Sequence, residues 1–202
     1  MKNIAVFVSG NGTNLQAIID SIKKGVLKVN LVLVISDNKS AFALERARKA
    51  QVKALYINPK DFSSKQDFEK DILKNLEKEK VDLVVLAGFM RILSPYFVAS
   101  YKNRIINIHP ALLPAFKGAH AIKDAFEAKV RETGVIVHFV DEEVDHGPII
   151  AQGIVKILKD DTLESLEDRI HKLEHELYPK AIELVTTRQF EVKGDKAVFK
   201  RG

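Results

Sequence analysis

A chain of 202 residues with 46% hydrophobic and 29% charged side chains is long enough and apolar enough to bury a full core, and its lack of cysteine excludes disulfides, thiolate metal sites and thiol nucleophiles. The net charge of +5 and pI of about 9.2 suit an anionic partner. The cations are mixed with acids, as from Lys70 to Lys80, and aromatics are not interleaved with them, so small molecules are expected as partners rather than nucleic acid. Met1–Val8, the N-terminal apolar run, stops at Ser9-Gly10-Asn11-Gly12, too short for a membrane span and without a cleavage pattern; a cytoplasmic protein is expected.

In chain order, Ile4–Val8 reads as a strand, and Leu15, Ile18, Ile19 and Ile22 then step with helical spacing. Leu31–Ile35 is a second strand, followed by an Ala-rich helix over 41–50. Ala54–Ile57 is a third, followed by a charged helix over 64–79. Val81–Ala87 is apolar enough to be buried on both faces. Arg104–Ile108 leads into His109-Pro110, and Val135–Val140 and Ile149–Ile157 flank an acidic turn. Leu163, Leu166, Ile170, Leu173 and Leu177 mark a long amphipathic helix, and Phe190–Phe199 alternates around Gly194-Asp195 as a hairpin does. The expected fold is α/β: a doubly wound, mostly parallel sheet with helices on both faces and an antiparallel strand in the second half. One domain over 1–202 is expected, made of halves 1–100 and 101–188 and a hairpin over 189–202.

Ligands of such sheets sit beyond the carboxyl ends of the strands, which directs attention to the loops there. Ser9-Gly10-Asn11-Gly12-Thr13-Asn14 lies between a strand and a helix, where backbone N–H groups and the helix dipole attract a phosphate. Position 15 is Leu and no Gly-Lys-Ser/Thr follows, so neither a dinucleotide fingerprint nor a nucleotide-hydrolysing loop is present. The plainer alternative is a tight turn with Thr13 or Asn14 as helix cap. Gly88-Phe89-Met90-Arg91-Ile92-Leu93-Ser94-Pro95 is apolar enough to line a pocket for a flat ligand, or else closes the core with Met90, Ile92 and Leu93.

In Asn107-Ile108-His109-Pro110 the amide and imidazole, two residues apart, point to the same side of an extended segment. Such a pair suits stabilising an oxyanion and moving a proton; a structural histidine is the alternative. In Asp141-Glu142-Glu143-Val144-Asp145-His146-Gly147-Pro148 any of four carboxylates is a candidate to hold His109. His171 and His175 stand i, i+4, but Lys172 follows the first where a metalloprotease helix needs Glu, so no metal is expected.

Taken together, these stretches resemble the folate-dependent phosphoribosylglycinamide formyltransferase family. The match runs through Ser9–Leu15, Leu86–Ser94, Ile106–Pro114 and Val137–Val140 followed by Asp145–Pro148, in order and spacing, from about residue 3 to residue 187. The resemblance implies attack of the substrate amine on the formyl carbon of 10-formyltetrahydrofolate, through a tetrahedral intermediate, in purine synthesis. By matching positions it makes Asn107, His109 and Asp145 catalytic. Gly12, Thr13, Asn14 and Glu174 bind phosphoribosylglycinamide. Lys65, Met90, Arg91, Ile92, Leu93, Asn107 and the turn of Asp141, Glu142, Glu143, Val144 and Asp145 bind the folate. The first half is then the sugar-phosphate-binding half and 101–188 the catalytic and folate-binding half. The roles implied are oxyanion donation by Asn107 and a protonated His109, with Asp145 keeping the imidazole charged. No metal is implied, and a monomer or homodimer is expected. Ala111 stands where many members have Ser, and His146 where a small residue is common. Methionyl-tRNA formyltransferase and formyltetrahydrofolate hydrolase share the core but carry extra domains, for which this chain has no room. A hydrolase-like enzyme and a non-catalytic folate or sugar-phosphate binding protein are the competing readings.

Overall fold

Strand β1 (Lys2–Val8) carries no solvent face: Ile4 to Val8 are all fully buried. A parallel strand with neighbours on both edges and helices above and below has to be apolar on both sides. In the computed structural model, which describes residues 1–200, β1 is paired in parallel with β2 (Val29–Ser36) and with β4 (Leu83–Leu86), and β2 with β3 (Lys53–Tyr56). The order β3-β2-β1-β4 requires crossovers, and α1 (Thr13–Lys23), α2 (Phe42–Lys49) and α3 (Lys65–Lys78) supply helices between consecutive strands. A single 3-10 turn, Pro59–Asp61, precedes α3. Ser64 starts α3 by accepting from the Asp67 N–H at 3.1 Å, relieving one of the free donors of a helix start.

These elements belong to a first compact unit, Met1–Ile106; a second begins at Asn107. One short helix of the first unit was not visible in the spacing: α4 (Pro95–Ser100), a six-residue turn without room for a repeating apolar stripe. It is held by Glu69 of α3, which is buried, accepts from the Ser94 N–H at 2.8 Å and bonds the Ser94 hydroxyl. The Ser94 oxygen in turn accepts from Phe97 N–H. A buried carboxylate is tolerated because it is saturated with donors.

β5 (Ile105–His109) crosses the boundary between the units. In the second unit α5 (Ala121–Glu127) is again too short to show a period. β6 (Glu132–Phe139) and β7 (Ile149–Lys156) run antiparallel, with a register shift between Val137 and His138. α6 (Leu163–Thr187) opens on a capping box of Thr162 and Ser165 and runs well past Leu177, through Pro179. β8 (Phe190–Lys193) and β9 (Lys196–Phe199) pair antiparallel, β9 continues in parallel from β7, and Phe190 stacks on Phe139 at 4.8 Å. The nine strands among the described residues are mixed in direction and mostly parallel, with helices, the α/β class that the sequence predicts.

Candidate functional site

The loop after β1 is built from backbone. Gly12 adopts φ 73°, a left-handed conformation that glycine alone takes without strain, and it is the residue that caps α1. Neither Thr13 nor Asn14 is the cap, and Gly12 has no side chain with which to bond the start of the helix. Among the described residues the Gly12 and Thr13 N–H groups meet no hydrogen-bond acceptor, the arrangement that draws an anion to a helix start. A side chain at position 12 would also meet the Ala43 Cβ at 2.6 Å, so α2 packs where only hydrogen fits. Ala43 N–H donates to the Gly10 carbonyl at 3.2 Å and locks that contact.

The loop after β4 is laced to the same region of the first unit. Ser9 Oγ donates to Asp37 at 2.6 Å and accepts from Met90 N–H at 2.9 Å; Arg91 Nε donates to Asp37 at 2.7 Å. Met90 and Ile92 do not close the core: they are 70% and 65% exposed, whereas Leu93 is buried. Lys65 begins α3 with its ammonium 4.0 Å from buried Glu69 and otherwise open to solvent.

The second unit holds a side-chain cluster. Asn107 and His109, alternate residues of β5, both reach Asp145: Asn107 Nδ2 donates to Oδ1 at 3.4 Å, and His109 Nδ1 lies 3.5 Å from Oδ2. Gly118 N–H donates to Oδ2 at 3.0 Å. The choice among four carboxylates is resolved by geometry. Asp141 is spent on Glu143 N–H and on His146 Nδ1 at 2.8 Å, and Glu142, Glu143 and Val144 project outward. Asp145 sits at φ 48°, where Asp is among the few side chains tolerated. Gly147 keeps the turn folded back on β6, since a Cβ there would lie 2.0 Å from the Phe139 carbonyl.

Two participants escaped the sequence reading. His138 is buried, donates through Nδ1 to the Phe139 carbonyl at 2.8 Å, and presents Nε2 at 3.3 Å from Asn107 Nδ2 and 3.7 Å from Asp145. Its signal was a lone imidazole in an apolar strand, and the register shift beside it re-aims the ring. The second is the Phe116 carbonyl, which accepts from His109 Nε2 at 2.8 Å. Glu174 lies buried on α6.

Burial is the largest influence on Asp145 and would raise its proton affinity. The His138 ring, the Gly118 N–H and His109 outweigh it and hold the carboxyl at about 2. For His109 the balance is opposite: burial lowers it below the ordinary 6.5, despite Asp145 and the Phe116 carbonyl. Burial thus works against the imidazolium that the resemblance implies, while Asp145 and the Phe116 carbonyl favour it. A carbonyl can only accept, so Nε2 carries a proton, and His109 can donate through it whether or not the ring is charged.

Residues 2–182 match the formyl transferase family. The chain belongs to that family. It is 44% identical over 182 residues to phosphoribosylglycinamide formyltransferase of Bacillus subtilis, covering 90% of this chain and 93% of the relative. It is 46% identical over 186 residues to the trifunctional purine biosynthetic protein adenosine-3 of Drosophila melanogaster; there the match covers 91% of this chain but only 14% of that much longer protein. Among solved structures, glycinamide ribonucleotide transformylase 1 from Symbiobacterium toebii superposes with a TM-score of 0.94 at 44% identity, over 98% of this chain and 94% of that one. Among the described residues of this formyl transferase, no group of three or more His, Asp or Glu is disposed to hold a metal ion, and no helix is long and apolar enough to cross a membrane.

Proposed function

We propose that the chain transfers a formyl group from 10-formyltetrahydrofolate to the amine of phosphoribosylglycinamide in purine biosynthesis. The observation that carries this reading is the convergence of Asn107, His109 and His138 on one ionised Asp145, in a chain whose match to the Bacillus subtilis formyltransferase covers 93% of that relative.

Gly12, Thr13 and Asn14 bind the sugar phosphate through the start of α1, and buried Glu174 receives the glycinamide end. Met90, Arg91, Ile92 and Leu93, Lys65, and the Asp141–Asp145 turn take the folate. The exposed apolar side chains of Met90, Ile92 and Val144 suit the apolar face of such a ligand. The substrate amine is the nucleophile, so the protein needs no nucleophilic side chain. Attack puts negative charge on the formyl oxygen, and Asn107 Nδ2 and His109 Nε2 are the donors placed to meet it. One such donor is typically worth about 10²–10³ in rate. In the resting cluster these donors are engaged, on Asp145, His138 and Phe116. The oxyanion takes over acceptor positions already laid out. Attack also leaves the substrate nitrogen positively charged, and the proton it sheds is the one transferred. As charge grows on the oxyanion, His109 gains proton affinity and takes up that proton, and Asp145, ionised at any physiological pH, stabilises the imidazolium that forms. His109, supported by Asp145, then passes the proton to the leaving nitrogen of the folate.

The protein acts on small molecules in the cytoplasm, without nucleic acid, as a monomer or homodimer. Purified protein is expected to consume 10-formyltetrahydrofolate only when phosphoribosylglycinamide is present. Formate release without the amine would indicate a hydrolase, and binding without turnover a binding protein; either outcome overturns the reading.

A further inference from the structure

The loop that begins α1 owes its shape to a residue far away in sequence. Arg46 of α2 donates through Nε to the Asn11 carbonyl at 2.8 Å, through one terminal nitrogen to the Asn11 side-chain oxygen at 3.1 Å, and through the other to Gln16 Oε1 at 3.1 Å. Gln16 is turned to receive it by donating its own amide to Asp20 at 2.9 Å. The guanidinium lies over the Phe42 ring at 4.8 Å, and it makes no ion pair among the described residues. A half-buried arginine that spends three N–H bonds on neutral acceptors is a bracket rather than a solvated surface charge.

The peptide joining Asn11 to Gly12 is planar, with its carbonyl and its N–H on opposite sides. By holding the Asn11 carbonyl, Arg46 therefore turns the Gly12 N–H the other way, and that N–H is one of the donors that meet no acceptor among the described residues. The third bond ties the same fork to the first turns of α1 through Gln16.

We infer that Arg46 is a positioning residue for phosphate recognition: it fixes the Asn11–Gly12 peptide so that the Gly12 N–H is aimed before substrate arrives. This rests on the reading of the loop as the sugar-phosphate site. Its uncompensated charge adds attraction for an anion, but the fork geometry is what a point charge cannot replace. Lysine would keep the charge and lose the simultaneous hold on three acceptors.

The test is steady-state kinetics on the full chain with Arg46→Ala, Arg46→Lys and Gln16→Leu, together with the thermal shift produced by inorganic phosphate. Arg46→Ala should raise KM for phosphoribosylglycinamide about tenfold or more, the effect of losing one or two positioned donors. Its kcat and its KM for 10-formyltetrahydrofolate should stay within about twofold of wild type. Arg46→Lys should keep most of that defect, and Gln16→Leu should show a smaller rise in the same constant. The phosphate-induced shift should shrink in the same order. Wild-type KM in Arg46→Lys would assign the effect to charge alone and overturn the inference. So would an unchanged KM in Arg46→Ala, or a parallel fall in all kinetic constants and melting temperature. Should Arg46→Ala not fold, Gln16→Leu decides, since a normal KM there removes the bracket. If wild type itself shows no amine-dependent turnover, the proposed reaction fails instead, and the phosphate shift still reads the role of Arg46.

Discussion

In the proposed phosphate site of the first unit, the groups on offer are backbone N–H bonds at Gly12 and Thr13, shaped by a left-handed glycine and by packing against Ala43. In the second unit they are side chains from β5, β6 and an acidic turn, gathered on the carboxylate of Asp145. Backbone donors cannot be deleted by substitution, only misdirected. Side-chain donors can be deleted outright. The two regions should therefore fail differently: the first by loss of affinity, the second by loss of turnover.

The largest effect is expected in the second unit. His109→Ala and Asp145→Asn should each lower kcat by at least about a hundredfold, the value of a lost oxyanion donor or of its supporting charge. Circular dichroism and melting temperature should show the fold retained. Near-normal turnover in either variant would remove the catalytic roles assigned here.

Gly12→Ala comes next and sharpens the contrast. Its Cβ would stand 2.6 Å from that of Ala43 at a residue with φ 73°. The clash and the left-handed strain should together cost about 1–3 kcal/mol in denaturant unfolding. KM for the sugar phosphate should rise with far less loss of kcat. A kcat loss as large as that of His109→Ala would erase the distinction between the two regions.

The smallest effect is on stability against pH. Asp145 is held at about 2 in the fold against 3.8 ordinarily, so its ionised form is favoured. That contribution is complete above the ordinary value and is lost as pH falls from there toward 2. His109 is lowered from 6.5, so its neutral form is favoured; its contribution is complete above that value and is lost as pH falls through the lowered one. Acid should thus weaken the protein in two steps. In urea unfolding across pH, Asp145→Asn should shrink the lower step, leaving the part due to Asp161, which Arg169 also holds at about 2, and should move the upper one to more acid pH, because it removes a charge that favours the imidazolium. An unaltered acid profile would dissociate the two groups.

What the sequence disclosed follows the same division. The loop from Ser9 to Asn14 is contiguous, and its strand–glycine–helix grammar can be read without knowing the rest of the chain. The longer strands and helices were readable for a similar reason, since their apolar periods repeat. The six and seven residues of α4 and α5 carry too few repeats to show one. The side-chain cluster is a convergence of distant segments. Alternation in β5 put Asn107 and His109 on one side, but residue types alone do not separate Asp145 from Asp141; the family resemblance selects Asp145, and in the fold Asp141 is occupied by His146 while Asp145 meets His109. His138 was hidden because an imidazole in an apolar strand looks structural until its neighbours are known. The downward pull of burial on the proton affinity of His109 was hidden too, since the degree of burial is a property of the whole fold.

The Phe116 carbonyl gives the resting site a built-in reference. His109 Nε2 already donates to a neutral amide oxygen before any substrate is present. A neutral formyl oxygen offers much the same bond, so exchanging one for the other gains little. An anionic oxygen offers a bond roughly twice as strong. The internal carbonyl thus subtracts the ground-state contribution and leaves only the part that appears as charge develops. In the proposed reaction, discrimination between substrate and transition state would come from what His109 has to give up.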